Sequence, residues 1–252
     1  MDNFTGERRF KLTLHYDGAG FFGWQVQPGV RTVQAELEAA LTRLRNSPTT
    51  VIAAGRTDRG VHATGQVAST LMPEKWTADE LHRALNAILP DDIWIAAIEE
   101  VDLDFHARYD AQARSYVYRI GTRPDAASPF NRKYCWPLSV ALSLDVLNNA
   151  AARFVGRHSF RAFAKSGQPE RGEVCTVVLS QWRNSEVGVE FHVTADRFLH
   201  HMVRYMVGTM VDVARARRPA DDIDALLAGN NELETSPPAP PEGLFLSHVS
   251  YP

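Results

Sequence analysis

The 252-residue sequence has two cysteines, Cys135 and Cys175, with no CxxC spacing between them. A disulfide framework and a cysteine-based zinc site are therefore not indicated, which suits a reducing cytosol. The opening MDNFTGERRF lacks the apolar run of a secretory signal. No stretch approaches the roughly 18 apolar residues of a membrane span. Neither a phosphate-binding GxGxxG turn nor a P-loop is expected. Positive charge is also short: the net charge is −3, which on its face argues against nucleic acid.

The average hides an asymmetry. Residues 105–135 carry Arg108, Arg114, Arg119, Arg123, Arg132 and Lys133 against two acids, a local +4. Residues 153–171 carry Arg153, Arg157, Arg161, Lys165 and Arg171 against Glu170, again +4. Residues 220–242 hold six acids and no Lys or Arg. Local patches decide phosphate binding more than the total does, although solvated faces account for such charge equally well.

What is present is ordinary globular material: 44% apolar and 23% charged residues, enough chain for one large or two small domains. Phe10, Leu12, Leu14 and Tyr16 alternate with polar residues, the period of a half-buried strand. Thr32 caps a predicted helix with Val33, Leu37, Ala40, Leu41 and Leu44 on one stripe. Strands are expected near 49–54 and 65–71. Thr77-Ala78-Asp79-Glu80 spells a capping box and opens a helix with Leu81, Ala84, Leu85 and Ile88 on one face, stopped by Pro90. Residues 93–101 read as a strand.

The second half repeats this order. A strand is expected at 113–121 and a helix at 143–155, with Val146, Leu147, Ala150, Ala151 and Phe154 inward. Strands follow at 174–182 and 187–194. A helix covers 199–215, a short one 221–228, and a last strand 244–250. The pattern predicts an α+β fold of two tandem ferredoxin-like β-α-β-β-α-β units, residues 1–104 and 105–252. Their sheets are expected to join into one mixed or antiparallel sheet, with an active-site cleft at the junction.

The stretch AGRTDRGVHATGQVAS, Ala54 to Ser69, carries the chemistry. Asp58 sits in a turn flanked by Gly55 and Gly60, which permit positive φ and close approach to a ligand. A carboxylate there is either a turn residue bonding its own backbone or a nucleophile or general base beside a cation such as Arg56. His62, four residues on, pairs with Asp58 at a metal-like spacing. One Asp-x-x-x-His pair outside a helix, with no third ligand, does not make a metal site.

GRTDRGVHATGQV resembles the signature loop of the TruA family of tRNA pseudouridine synthases. YDGAGFFGWQVQP, NAILPDDI, DFHARYDAQARSYVYRI, FLHHMVRYMVG and EGLFL follow in family order, so the resemblance runs from Leu12 to Tyr251. It is weakest over 123–140 and 164–185. It implies isomerisation of uridine to pseudouridine at tRNA positions 38–40, on the 3′ side of the anticodon stem-loop, with no cofactor and no metal. The family's catalytic aspartate maps onto Asp58, acting at the ribose either by attack on C1′ or by removal of the 2′ proton.

Tyr116, the first tyrosine of RSYVY, matches the active-site tyrosine, and Arg204 is the basic residue expected to pair with the aspartate. Arg56 is implied to hold a flipped-out nucleotide, and Leu244 to line the uracil pocket. His62 and Arg108 complete the substrate-binding candidates. Tyr118 shares the parity of Tyr116 and reads as core. His200 and His201 read as RNA-facing or structural. FFGW, Phe21 to Trp24, is either a loop under the active site or part of an interface. The resemblance also implies a cytoplasmic homodimer with one tRNA crossing both subunits. Rival readings are a non-catalytic RNA-binding module, a metal-dependent hydrolase, and a pseudouridine synthase acting on another RNA.

Overall fold

The computed structural model describes residues 6–165 and 172–252, so Glu170 and Arg171 of the second basic segment lie outside the described residues. The chain divides into two compact units, Met1–Gln112 with Leu246–Pro252, and Ala113–Phe245. The class is mixed α+β, with ten strands and five α-helices among the described residues.

The first unit begins with β1, Glu7–Tyr16, whose burial alternates as its sequence does. α1, Val33–Arg45, follows, capped by the Thr32 hydroxyl and closed by Asn46 in a left-handed conformation. Next come β2, Ile52–Ala53, β3, His62–Pro73, α2, Ala78–Ile88, and β4, Ile93–Val101. The sheet order is β4-β1-β3 with β2 on the far side of β3, the ferredoxin-like 4-1-3-2 arrangement. Leu37 and Leu41 of α1 and Leu81 and Leu85 of α2 are fully buried with Phe10, Leu12 and Leu14 of β1. At about 1.5–3 kcal/mol per fully buried large side chain, this layer is the main source of the unit's stability.

Strand β4 is an edge strand, and α2 attends to it. The Asn86 amide accepts from Ile95 N and donates to Ile95 O, at 2.8 and 2.9 Å. A side chain thus occupies backbone groups that would otherwise invite another strand.

The second unit contains β5, Ala113–Gly121, β6, Trp136–Pro137, α3, Leu144–Ala152, and β7, Gly156–Ser159. It continues with β8, Val174–Asn184, β9, Gly188–Ala195, α4, Met202–Ala214, and α5, Asp221–Leu227. β5, β9, β8 and β7 pair antiparallel in that order, and β6 adds a short parallel pairing on β5. Trp182 and Phe191 pack at a tilt across β8 and β9, with centroids 5.1 Å apart, and Phe154, Phe160 and Phe163 form a second aromatic cluster. α4 is buried on nearly all sides. A Cβ on its Gly208 would come within 2.1 Å of Pro237 O, so only glycine admits the Pro-rich segment there. The last strand, β10, Leu244–Ser250, begins in the second unit and finishes in the first.

Strands at 93–101, 113–121 and 244–250 fall where the sequence places them. The strand expected near 49–54 shrinks to two residues, while its successor grows to twelve. Helix α3 stops at Ala152, and Val146, expected inward, is exposed. Helix α4 starts at Met202 and not Leu199, because His201 takes a φ of 64° that no helix continues through. Among the described residues no helix is long and apolar enough to cross a membrane.

The capping box of α2 forms as expected: Thr77 Oγ1 accepts from Glu80 N, and Glu80 accepts from Thr77 N. These bonds from Thr77 hold the exposed Glu80 carboxyl below its ordinary range. Replacing Thr77 with Ala should lower stability by about 1 kcal/mol in urea titrations at neutral pH. A group held down in the folded state stabilises above its unfolded value. The wild-type advantage should therefore shrink as pH falls through the carboxylate range.

Candidate active site

The Asp58 loop is held from two sides. Inside, Gln66 of β3 is fully buried and donates from Nε2 to Gly55 O at 2.9 Å. The same amide lies 3.4 Å from the Tyr16 hydroxyl, which is 2.7 Å from Thr57 Oγ1. Burial pushes the Tyr16 phenol far above its ordinary value, so it serves as a hydrogen-bonding post and stays protonated. A register shift in β1 between Leu14 and Tyr16 sets Tyr16 opposite Ala63, at the point where the loop rejoins the sheet.

Below the loop runs FFGW. Trp24 N donates to Thr57 O at 3.0 Å, and Gly60 N to Phe21 O at 3.4 Å. Gly23 has a φ of 95°, and a Cβ there would stand 2.7 Å from Thr57 O. Phe21 and Trp24 are buried, which identifies this segment as a floor under the loop. Arg31 fixes the floor in turn, lying over the Phe21 ring at 4.2 Å and pairing bidentately with Asp92 at 2.5 and 2.8 Å.

With Thr57 pinned inward, the neighbouring side chains are directed elsewhere. Asp58 is half-buried, and its carbonyl accepts from Val61 N at 3.1 Å. Arg56 and Arg59 are exposed, and Arg59 lies 4.2 Å over the Phe22 ring. Gly60, with a φ of 78°, closes the turn. His62 is buried, and its Nδ1 accepts from Gly18 N at 3.0 Å, tying the start of the floor to β3. Arg108 is half-buried, 5.5 Å over Tyr109, in a turn whose Ala107 carbonyl accepts from the Tyr251 hydroxyl.

In the second unit Tyr116 lies on β5 opposite Val193, buried, with its ring edge-on to Phe198 at 4.9 Å. Tyr118 is fully buried and donates to Pro240 O at 2.8 Å. Burial raises its phenol well above the ordinary value, opposed in part by the charge of Arg204. Arg204, half-buried on α4, donates from Nε to Ala239 O at 2.6 Å, and Ala239 N returns a bond to Arg204 O at 2.9 Å. Leu244 is buried at the start of β10. The glycine before it is required, since a Cβ on Gly243 would meet Arg119 O at 2.7 Å and the Tyr118 ring at 2.8 Å. His200 is exposed and its ring lies 4.2 Å from that of His201.

The structure thus gathers Asp58, Arg56 and His62 in one loop, and Arg204 with Tyr118 beside the segment leading to Leu244. Sequence reading missed Tyr16, Thr57 and Gln66 as the loop's supports. It also took a GxGxxG pattern to be absent, although Gly18, Gly20 and Gly23 have the glycine spacing of a dinucleotide-binding turn. That motif needs a helix directly after it. Here β1 leads into a three-residue 3-10 turn, and α1 starts only at Val33.

The family described as tRNA pseudouridine synthase matches residues 13–110 and 150–252. A tRNA pseudouridine synthase A of Moorella thermoacetica is 43% identical over 247 residues, covering 96% of this chain and 98% of that protein. One of Dictyoglomus thermophilum is 41% identical, covering 96% and 99%. One of Methylacidiphilum infernorum is 40% identical, covering 96% and 95%. With matches of this extent on both sides of the Asp58 loop and across β10, the chain belongs to the tRNA pseudouridine synthase family.

Proposed function

We propose that this chain isomerises uridine to pseudouridine in tRNA, at adjacent positions 38–40 on the 3′ side of the anticodon stem-loop, with Asp58 acting at the ribose. The observation that carries this reading is the Asp58 loop: a half-buried carboxylate on a backbone fixed from inside by Tyr16 and Gln66 and from below by Gly23. Such a scaffold suits a group that must meet a reacting carbon within fractions of an ångström.

The chemistry breaks the C1′–N1 bond, turns the uracil and forms C1′–C5. N1 gains a proton and C5 loses one. Substrate and product are isomers, so no electrons are exchanged and no cofactor is called for. Both routes open to Asp58, attack at C1′ and removal of the 2′ proton, use it as a carboxylate, and Arg204 is the cation assigned to that carboxylate.

A stacked uridine cannot present C1′, so it must leave the stem at a cost of a few kcal/mol. Stacking on an aromatic ring returns about 1–3 kcal/mol, the role assigned to Tyr116. Its hydroxyl is assigned the C5 proton. Arg56, exposed at the loop, holds the backbone of the flipped nucleotide; Arg108 adds a second cation and Leu244 an apolar wall. His62 contributes by holding the floor to β3. Tolerance of neighbouring positions fits recognition by shape and phosphates. The same reading carries a homodimer working in the cytoplasm.

Tritium release from tRNA labelled at uracil C5 tests the assignment directly. Asp58→Asn should abolish release while tRNA binding stays within several-fold; retained turnover would remove Asp58 from the chemistry. Tyr116→Phe keeps the ring and loses the hydroxyl, so single-turnover rates should fall by about a hundredfold. An unchanged rate would reject the hydroxyl as proton acceptor. Gly23→Ala should displace the loop and lower kcat by roughly a hundredfold with KM little changed. Wild-type kcat in that variant would show that the floor does not set the position of Asp58.

A further inference from the structure

One loop in the second unit has features that the proposed catalytic residues leave unused. Between Gly121 at the end of β5 and Trp136 of β6, the chain projects Phe130 with 88% of its surface exposed. A lone exposed apolar residue carries no message. Two further observations make this one informative.

The loop is built to hold its shape. Ala126 and Cys135 are buried at its base, and a Cβ on Gly121 would stand 2.1 Å from Ala126 Cβ and 3.2 Å from Cys135 Sγ. Ser128 O accepts from Asn131 N and Arg132 N, Ser128 Oγ accepts from Phe130 N, and Asn131 Nδ2 donates to Asp125 O. The ring is therefore presented by a fixed tip whose ordering cost is met before any ligand arrives.

The tip is also cationic. Residues 123–134 carry Arg123, Arg132 and Lys133, all exposed, against the single acid Asp125, in a chain whose net charge is −3. An exposed Tyr134 adds a second aromatic.

We propose that this loop is an auxiliary RNA-binding site, in which an unpaired base of the substrate stacks on Phe130 and neighbouring phosphates are held by Arg132 and Lys133. The proposal rests on the tRNA reading above and places the contact away from the reacting uridine. From Tyr116 to Gly121 the strand runs about 17 Å. The charge balance selects a polyanion over an acidic or apolar protein surface: cations neutralise phosphates, and the ring accepts any base face.

Filter binding of full-length tRNA, alongside single-turnover tritium release at saturating enzyme, separates the outcomes. Phe130→Ala should weaken tRNA binding about 5- to 100-fold, with the saturated rate unchanged and the unfolding midpoint of wild type. Phe130→Trp should restore affinity. The pair Arg132→Gln and Lys133→Gln should reduce the slope of log affinity against log salt by about 2. Wild-type affinity in Phe130→Ala would overturn the proposal. So would a change of sedimenting mass with tRNA binding intact, which would make the loop a protein contact. The tRNA reading fails separately, if wild type releases no tritium.

Discussion

The short contact between the Tyr16 hydroxyl and Thr57 Oγ1 organises much of the rest. It joins the end of the first strand to the middle of a loop forty-one residues later, in a place where water does not reach. A buried hydroxyl without a partner costs about 1–3 kcal/mol, so the three polar groups of Tyr16, Thr57 and Gln66 are compelled to find one another. Thr57 is buried by this contact, while its neighbours Arg56 and Asp58 remain exposed and half-buried. The position of the carboxylate thus follows from satisfying its neighbour.

The floor under the loop works by contact distance. Trp24 N reaches Thr57 O only because residue 23 has no side chain and accepts a positive φ. The aromatics on either side, Phe21 and Trp24, are buried and fix how far the floor can sink. Arg31 is held by Asp92 and Glu36 and lies on Phe21, so its charge is satisfied while its planar face packs. Backbone support from below and hydroxyl support from within are independent, which makes the loop stiff in two directions.

Much of this was legible in the residues, and the limits have physical causes. Alternation located β1, because in a half-buried strand it is a local signal, and the strands expected at 93–101, 113–121 and 244–250 also formed. Caps located α1 and α2, because Thr32 and Thr77 bond within three residues of themselves. The GRTDRG motif named Asp58 through family resemblance. What spacing could not say was which way each neighbour faced. Tyr16 looked like one more core residue of an alternating strand, and its hydroxyl's partner is remote in sequence. His62 looked like a site residue by position, yet its ring is buried against Gly18. Helix α4 shows the converse: the apolar stripe runs back to Leu199, but the backbone at His201 does not follow it.

The second unit solves its own problem by the same means. Arg204 extends from a helix buried on nearly every face, where a guanidinium needs partners to remain charged. It finds one in the Ala239 carbonyl, and the neighbouring Pro240 carbonyl takes the Tyr118 hydroxyl. One extended segment thereby satisfies two buried donors, and its prolines present carbonyls without adding N–H groups that would need partners. The acceptors come from backbone, so they cannot ionise or swing away. The same guanidinium lowers the cost of charge on the neighbouring Tyr118 phenol, so its field already acts on the groups packed around it.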